Sequence, residues 1–242
     1  MLQRAMALCF LLLFPAMGEC QSPTLPGDGT RYFVAVYSWQ EKPPIVSEAH
    51  TWATVIRVTP KADGVSIERH TISWLPAKVE IQVFSPRPEP GRNFTLEETL
   101  AIAANRPKPV RVSIWGPYEI RERTFNAFVN RKAILESGVY RYRAIDSFIR
   151  ESQNVNCIHA ITDMDPAFDR AHYPLFRFGD RASAYVVDQM RMRDIILNRD
   201  RTHDEWLPYF TLNQSMTRRE PPPPIAYPIA DIRHTIRSRF RR

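Results

Sequence analysis

The stretch HTWATVIRVTPKADGVSIERHTISWL, residues 50–75, decides the fold class. Both of its halves are rich in β-branched and aromatic residues, as strands are. Between them stands Asp63-Gly64, a dipeptide that favours the tight turn of a hairpin. The stretch therefore predicts a β-hairpin in which His50 heads the first strand and His70 lies in the returning strand.

Further strands and helices are predicted on both sides of this hairpin. The pattern predicts strands over residues 31–39, 79–84 and 110–115, and helices over residues 95–104, 121–137, 144–152, 157–162 and 180–197. Thr95 with Glu98 three residues later forms a capping-box signature at one helix start. Because strands cluster in the first half and helices in the second, the chain is predicted to be α+β, with an antiparallel sheet packed on helices.

The N-terminus has the pattern of an export signal. Arg4 precedes an apolar run over residues 5–14 that is too short to span a bilayer, and small residues Ala16 and Gly18 follow. We expect a signal peptide over residues 1–18 that is cleaved near Gly18, and a protein that is periplasmic or extracellular. A linker over residues 19–30 and a domain over residues 31–215 would follow.

A proline-rich basic tail is predicted over residues 216–242. Four consecutive prolines, Pro221–Pro224, stand ahead of several arginines that account for much of the net charge of +7. Such a segment suits contact with an anionic polymer or a membrane surface, and a solvated tail without a partner is the alternative. No nucleic-acid partner is expected, because the chain has no nucleic-acid motif and the signal predicts export. No phosphate loop or other cofactor motif is present, so no cofactor is predicted.

One cysteine lies inside the predicted domain. The chain has three, but Cys9 belongs to the signal and Cys20 to the linker, which leaves Cys157 without a disulfide partner. Asn156-Cys157-Ile158-His159 reads as a helix start, where the helix dipole stabilises a thiolate and lowers the pKa of the thiol. The alternative is a buried, inert cysteine.

A nucleophilic cysteine needs a base and a group that orients the base. His50 and His70, on adjacent strands of the hairpin, are the candidates for these two roles. His159 is a weaker base candidate, because residues two apart on a helix point to different faces. His159 with Asp163 and Asp165 lacks a recognisable metal-ligand spacing, so no metal site is predicted.

One histidine opens a strand of the hairpin, a second lies in the returning strand, and Asn-Cys-x-His stands at a later helix start. This order of residues resembles the circularly permuted papain-like thiol enzymes, which include the lecithin retinol acyltransferase group and permuted relatives of the NlpC-type cell-wall peptidases. The resemblance spans residues 45–165 and implies that Cys157 is the nucleophile, His50 the base and His70 the polar orienter. The acyltransferases carry an acidic residue and an aromatic around the cysteine, where this chain has Ile158 and Ala160. This difference favours a hydrolase.

The sequence therefore predicts an exported thiol hydrolase that cleaves an amide bond in a peptide or cell-envelope polymer through a Cys-His-His arrangement. Two alternatives stay open. One is a non-enzymatic envelope-associated protein with a binding or structural role. The other is a lipid-directed thiol acyltransferase or esterase on the same fold.

Overall fold

The structure is a computed structural model that describes residues 29–146, 153–166, 168, 178–211 and 217–223. Its strands are β1 (Arg31–Gln40), β2 (Ala49–Lys61), β3 (Gly64–Ile72), β4 (Trp74–Pro76), β5 (Glu89–Asn93), β6 (Arg111–Ile120), β7 (Arg141–Tyr142), β8 (Asn154–Val155) and β9 (Thr217–Arg219). Its α-helices are α1 (Leu96–Ala104), α2 (Glu122–Glu136), α3 (Cys157–Thr162) and α4 (Asp180–Met192). Two short 3₁₀ helices cover Val46–Glu48 and Asp204–Tyr209.

The larger sheet has the strand order β3-β2-β1-β6-β9. Strand β1 lies at its centre, because its residues from Phe33 to Trp39 are apolar enough to be buried on both faces. The pairs β1–β2, β2–β3 and β1–β6 are antiparallel, and only the short β9 runs parallel to its neighbour. Helices α2 and α4 pack on this sheet, and α3 contacts β2. The predicted hairpin and the α+β class are confirmed.

A smaller sheet of four strands, in the order β4-β5-β7-β8, lies beside the larger one. The predicted strand over residues 79–84 is wrong, because the chain turns after β4 through Val79, which has a positive φ of 65°. The strand forms instead at β5, in a stretch for which the sequence predicted neither a strand nor a helix. Gly91 makes this possible, since a Cβ there would lie 2.0 Å from a ring atom of Trp74 on β4.

Most predicted helices form close to their expected bounds. Helix α1 begins with the complete capping box between Thr95 and Glu98, and α2 matches its predicted span closely. Helix α4 ends at Met192, five residues before its predicted end. Strand β6 continues to Ile120 through Gly116-Pro117, where the sequence predicted a stop. Of the predicted helix over residues 144–152, residues 144–146 are not helical and residues 147–152 lie outside the described residues.

The sheet continues past residue 215, where the domain was predicted to end. Strand β9 pairs with β6 from Val112 to Ile114, and the Glu220 amide donates to the Ile114 carbonyl at 2.9 Å. The buried Arg191 guanidinium on α4 also donates to the Pro223 carbonyl. The predicted signal peptide, most of the linker and the tail beyond residue 223 lie outside the described residues. Within the described part of the chain, no helix has the length and apolar character that crossing a membrane requires.

Candidate functional site

Cys157 is the first residue of α3, as predicted. Asn156 caps this helix: its side-chain oxygen accepts hydrogen bonds from the backbone amides of Ile158 and His159, each at 2.9 Å. Val155 before the cap and Ile158 after it are apolar and buried, which draws the helix start into the interior. The thiol is therefore buried, with Cys157 only 9% exposed.

A small cavity joins Cys157 to His50. Both residues line it, together with Thr51, Tyr142 and others from β2, β7 and the start of α3. Its volume is about 20 Å³, which is room for roughly one water molecule. The fold thus brings the predicted nucleophile and the predicted base to the walls of the same cavity.

The His50 ring is buried among aromatic side chains. It stacks on Trp52 at a centroid distance of 5.5 Å and packs against Trp39 at 4.7 Å. Its Nε2 lies 2.9 Å from Ser73 Oγ, while Nδ1 has no hydrogen-bond partner among the described residues. Burial lowers the pKa of His50 to about 3, so the ring is neutral at pH 7 with one nitrogen held and the other unpartnered.

The thiol of Cys157 is neutral as well. Burial raises its pKa to about 11, and this effect outweighs the opposite effect of the backbone amides of Thr51, Cys157 and Ile158, which stabilise the thiolate. The helix start predicts a lowered pKa for this thiol, and that prediction is wrong for this structure. Within the described residues, neither nitrogen of the His50 ring is hydrogen-bonded to the sulfur.

His70 lies apart from this site. The hairpin register pairs His70 with Val55, five residues along β2 from His50, and alternation places Val55 and His50 on opposite faces of the sheet. The His70 ring meets Phe125 of α2, and its Nε2 lies 2.6 Å from Glu68 Oε1. His70 does not orient His50, and the predicted Cys-His-His arrangement does not form.

Ser73 makes the contact with the His50 ring that was predicted for His70. It stands between β3 and β4, is fully buried, and receives its own support from Asn93, whose side-chain oxygen accepts from the Ser73 amide at 2.8 Å. The signal available in the sequence was a single polar residue inside the apolar run Ile72-Ser73-Trp74. Local pattern alone could not connect it to His50.

One carboxylate that the sequence pattern did not predict contacts the start of the helix that carries Cys157. Asp146 is buried, and its Oδ2 lies 2.6 Å from His159 Nδ1 and accepts from the Asn156 amide at 2.9 Å. His159 is thus a partner of this carboxylate. Asp163, at the other end of α3, pairs with Arg131 at 3.3 Å.

A larger, charged cavity adjoins the one at Cys157. Its volume is about 320 Å³, and Ile81 lines both cavities. The remaining wall comes from residues near Val46–Glu48, the turn after β4 and the end of α1: Ser47, Glu48, Lys78, Val79, Glu80 and Arg106. Glu48 and Arg106 form an ion pair. Most of the residues that line this cavity are therefore polar or charged.

No group of three or more His, Cys, Asp or Glu side chains in the described ranges could hold a metal ion. In comparisons with known proteins, no family model, no curated protein and no solved structure matches this chain. The residues of the site therefore carry the functional argument.

Proposed function

We propose that this protein is a thiol hydrolase of the permuted papain-like type, in which Cys157 is the nucleophile, His50 the base and Ser73 the group that orients His50. The observation that carries the proposal is the cavity shared by Cys157 and His50. The His50 ring there has one nitrogen held by Ser73 and the other, Nδ1, unpartnered and buried. A base that is held at one nitrogen and open at the other is the arrangement that thiol and serine hydrolases use.

The chemistry starts from a neutral thiol and a neutral imidazole. The reaction requires Cys157 Sγ to come within hydrogen-bonding reach of His50 Nδ1, which accepts the thiol proton as the sulfur attacks a carbonyl carbon. Ionising the pair together costs less than ionising either group alone in a buried site, since opposite charges stabilise each other. Protonated His50 then delivers the proton to the leaving amine, and water hydrolyses the thioester.

The oxyanion of the tetrahedral intermediate needs preorganised donors. The backbone amides of Thr51 and Cys157 both lie close enough to the sulfur to stabilise its thiolate. The Cys157 amide is also at the start of α3, where backbone amides have no partner within the helix. These amides are the proposed oxyanion hole.

The proposed substrate is an amide bond in a peptide or a cell-envelope polymer. The cavity at Cys157 has room for about one water, so the rest of the substrate must lie outside it. The adjoining cavity of about 320 Å³ presents Lys78, Glu80 and the Glu48–Arg106 pair. Displacement of the Ile81 side chain would join the two spaces. The proposed export, with the signal peptide cleaved near Gly18, would bring the protein to such a substrate. The basic tail would bind an anionic polymer there.

A second candidate is a non-enzymatic envelope-associated protein. The observation that favours it is the buried thiol, whose pKa burial raises to about 11, with no hydrogen bond from the His50 ring to the sulfur. In that case Cys157 would be a core residue, and the charged cavity would serve binding alone.

The two functions are separated by measuring amine release from fluorogenic peptide amides and from purified cell-wall polymer. Wild type, Cys157→Ser and His50→Gln are compared, with His70→Gln as the matched histidine control. The hydrolase proposal expects release by wild type and His70→Gln, and at least about a hundredfold less by the other two variants. Equal release by Cys157→Ser, or none by wild type on any substrate, would overturn it.

A further inference from the structure

The Asp146 carboxylate binds Asn156, the residue before Cys157, and His159, two residues after it. It accepts hydrogen bonds from the Asn156 amide at 2.9 Å and from the Asn156 side-chain nitrogen at 3.1 Å. Its two oxygens also lie 2.8 and 2.6 Å from His159 Nδ1. Asp146, Asn156 and His159 are all buried. Water therefore does not compete for these bonds, and charge-assisted hydrogen bonds of this kind are strong.

These contacts fix the cap of α3. With its nitrogen held by Asp146, the Asn156 amide group has a single orientation, in which its oxygen faces the backbone amides of Ile158 and His159. The Asn156 nitrogen also reaches the Ala144 carbonyl at 3.4 Å. The first turn of the helix is thus clamped on both sides of Cys157, and the clamp depends on one carboxylate.

The same carboxylate places a negative charge near the sulfur. Burial is the main cause that raises the pKa of Cys157 and of Tyr142, and the charge of Asp146 adds to it, an effect opposite to that of the three backbone amides at the thiol. The contacts and the charge of Asp146 therefore both act on the thiol. The other titratable side chains around the thiol are His50, Tyr142 and His159.

We propose that Asp146 is a positioning residue of the thiol site: it holds Asn156 and His159 so that Cys157 keeps one place in the cavity. The catalytic role of Asp146 rests on the proposed function, because it requires that Cys157 be the nucleophile. Its effect on the thiol itself does not require that any substrate be known.

The test is the pH dependence of alkylation by iodoacetamide, measured on the peptide that contains Cys157 because Cys9 and Cys20 are also thiols. In Asp146→Asn we expect the alkylation midpoint to move to lower pH. The rate near pH 8 should rise about tenfold for each pH unit of that shift. Turnover of a substrate, if wild type has one, should fall in the same variant. A residue that only stabilises the fold away from the thiol would leave the alkylation midpoint unchanged while turnover fell.

Asp163→Asn is the matched control, because the Asp163 carboxylate is also buried, lies just after the last residue of α3 and contacts Arg131. It should destabilise the fold and leave the alkylation midpoint of Cys157 in place. If Asp146→Asn does not fold, Asn156→Ser is measured instead. Serine keeps a capping oxygen and loses the side-chain hydrogen bond to Asp146, so Asp146 holds the start of α3 less firmly and the midpoint moves the same way.

A midpoint in Asp146→Asn equal to that of wild type would overturn the inference, as would an equal shift in Asp163→Asn. For the Asn156→Ser measurement, an unchanged midpoint has the same meaning. If wild type turns over no substrate while the midpoint shifts as expected, the hydrolase proposal fails and the effect of Asp146 on the thiol stands.

Discussion

The Nε2 atom of His50 and the hydroxyl oxygen of Ser73 lie 2.9 Å apart in the protein interior. The two residues are 23 positions apart in the chain, and the turn of the β2–β3 hairpin together with the exit of the chain after β3 brings them together. This contact leaves Nδ1 as the ring nitrogen without a partner among the described residues. It thereby determines which nitrogen of His50 could take a proton from the cavity that Cys157 also lines.

Ser73→Ala should destabilise the protein by about 1–3 kcal/mol, because it leaves a buried ring nitrogen without its hydrogen bond. If the hydrolase proposal holds, amine release should fall as well. Urea unfolding and amine release measure the two effects. His70→Ala is the control, with a change in unfolding free energy below about 1 kcal/mol, since His70 is partly exposed and outside the site. Loss of turnover in the control with retention in Ser73→Ala would restore His70 as the orienting residue.

The free energy of unfolding should depend on acid pH through His50. Burial lowers its pKa to about 3 from an ordinary value of 6.5, so below pH 6.5 the unfolded chain binds a proton that the folded chain does not. Stability from this group is complete above pH 6.5 and is lost as pH falls towards 3, by up to about 1.4 kcal/mol per pH unit.

The measurement is urea unfolding at several pH values between 7 and 4, with wild type compared with His50→Gln. The difference between the two proteins isolates His50 from the carboxylates that also titrate in this range. We expect the variant to have the shallower dependence. Parallel curves would mean that the folded protein accommodates a protonated His50.

Gly91→Ala should destabilise the fold severely. The new Cβ would lie 2.0 Å from an atom of the Trp74 ring, which is buried and cannot move aside freely. We expect a loss of at least about 1–3 kcal/mol, the usual cost of overpacking, in the free energy of unfolding. Gly138→Ala is the comparison: its Cβ meets nothing within 4 Å, and only its positive φ of 82° opposes the change. A larger loss in Gly138→Ala would contradict the packing of β4 on β5.

Truncation should reveal where the folded domain ends. Removing residues 224–242 leaves β9 and the Arg191 contact with Pro223, so the unfolding temperature should change little. Removing residues 217–242 exposes the edge of β6 and leaves the buried Arg191 without that acceptor. We therefore expect a clearly lower unfolding temperature. Equal unfolding temperatures for the two truncated proteins would mean that β9 adds nothing to the sheet.

Local patterns in the sequence determined much of the fold. The hairpin, the Thr95–Glu98 cap, helix α2 and the start of α3 at Asn156 all follow from turn residues, capping residues and apolar periodicity within a few positions. Those signals act over short distances, so they were readable before any tertiary contact was known. The strand predicted over residues 79–84 is wrong because the prediction used only such local signals. The segment has the β-branched residues of a strand, but no other strand pairs with it.

Tertiary structure alone decided the chemistry of the site. The helix start at Cys157 predicts a lowered thiol pKa, but burial by β2, β7 and the chain around Ala144 reverses the direction. The hairpin predicts that His50 and His70 are neighbours, but strand register sends their side chains to opposite faces and gives Ser73 the contact instead. Desolvation and register depend on which distant segments pack together, and no stretch of the sequence contains that information by itself.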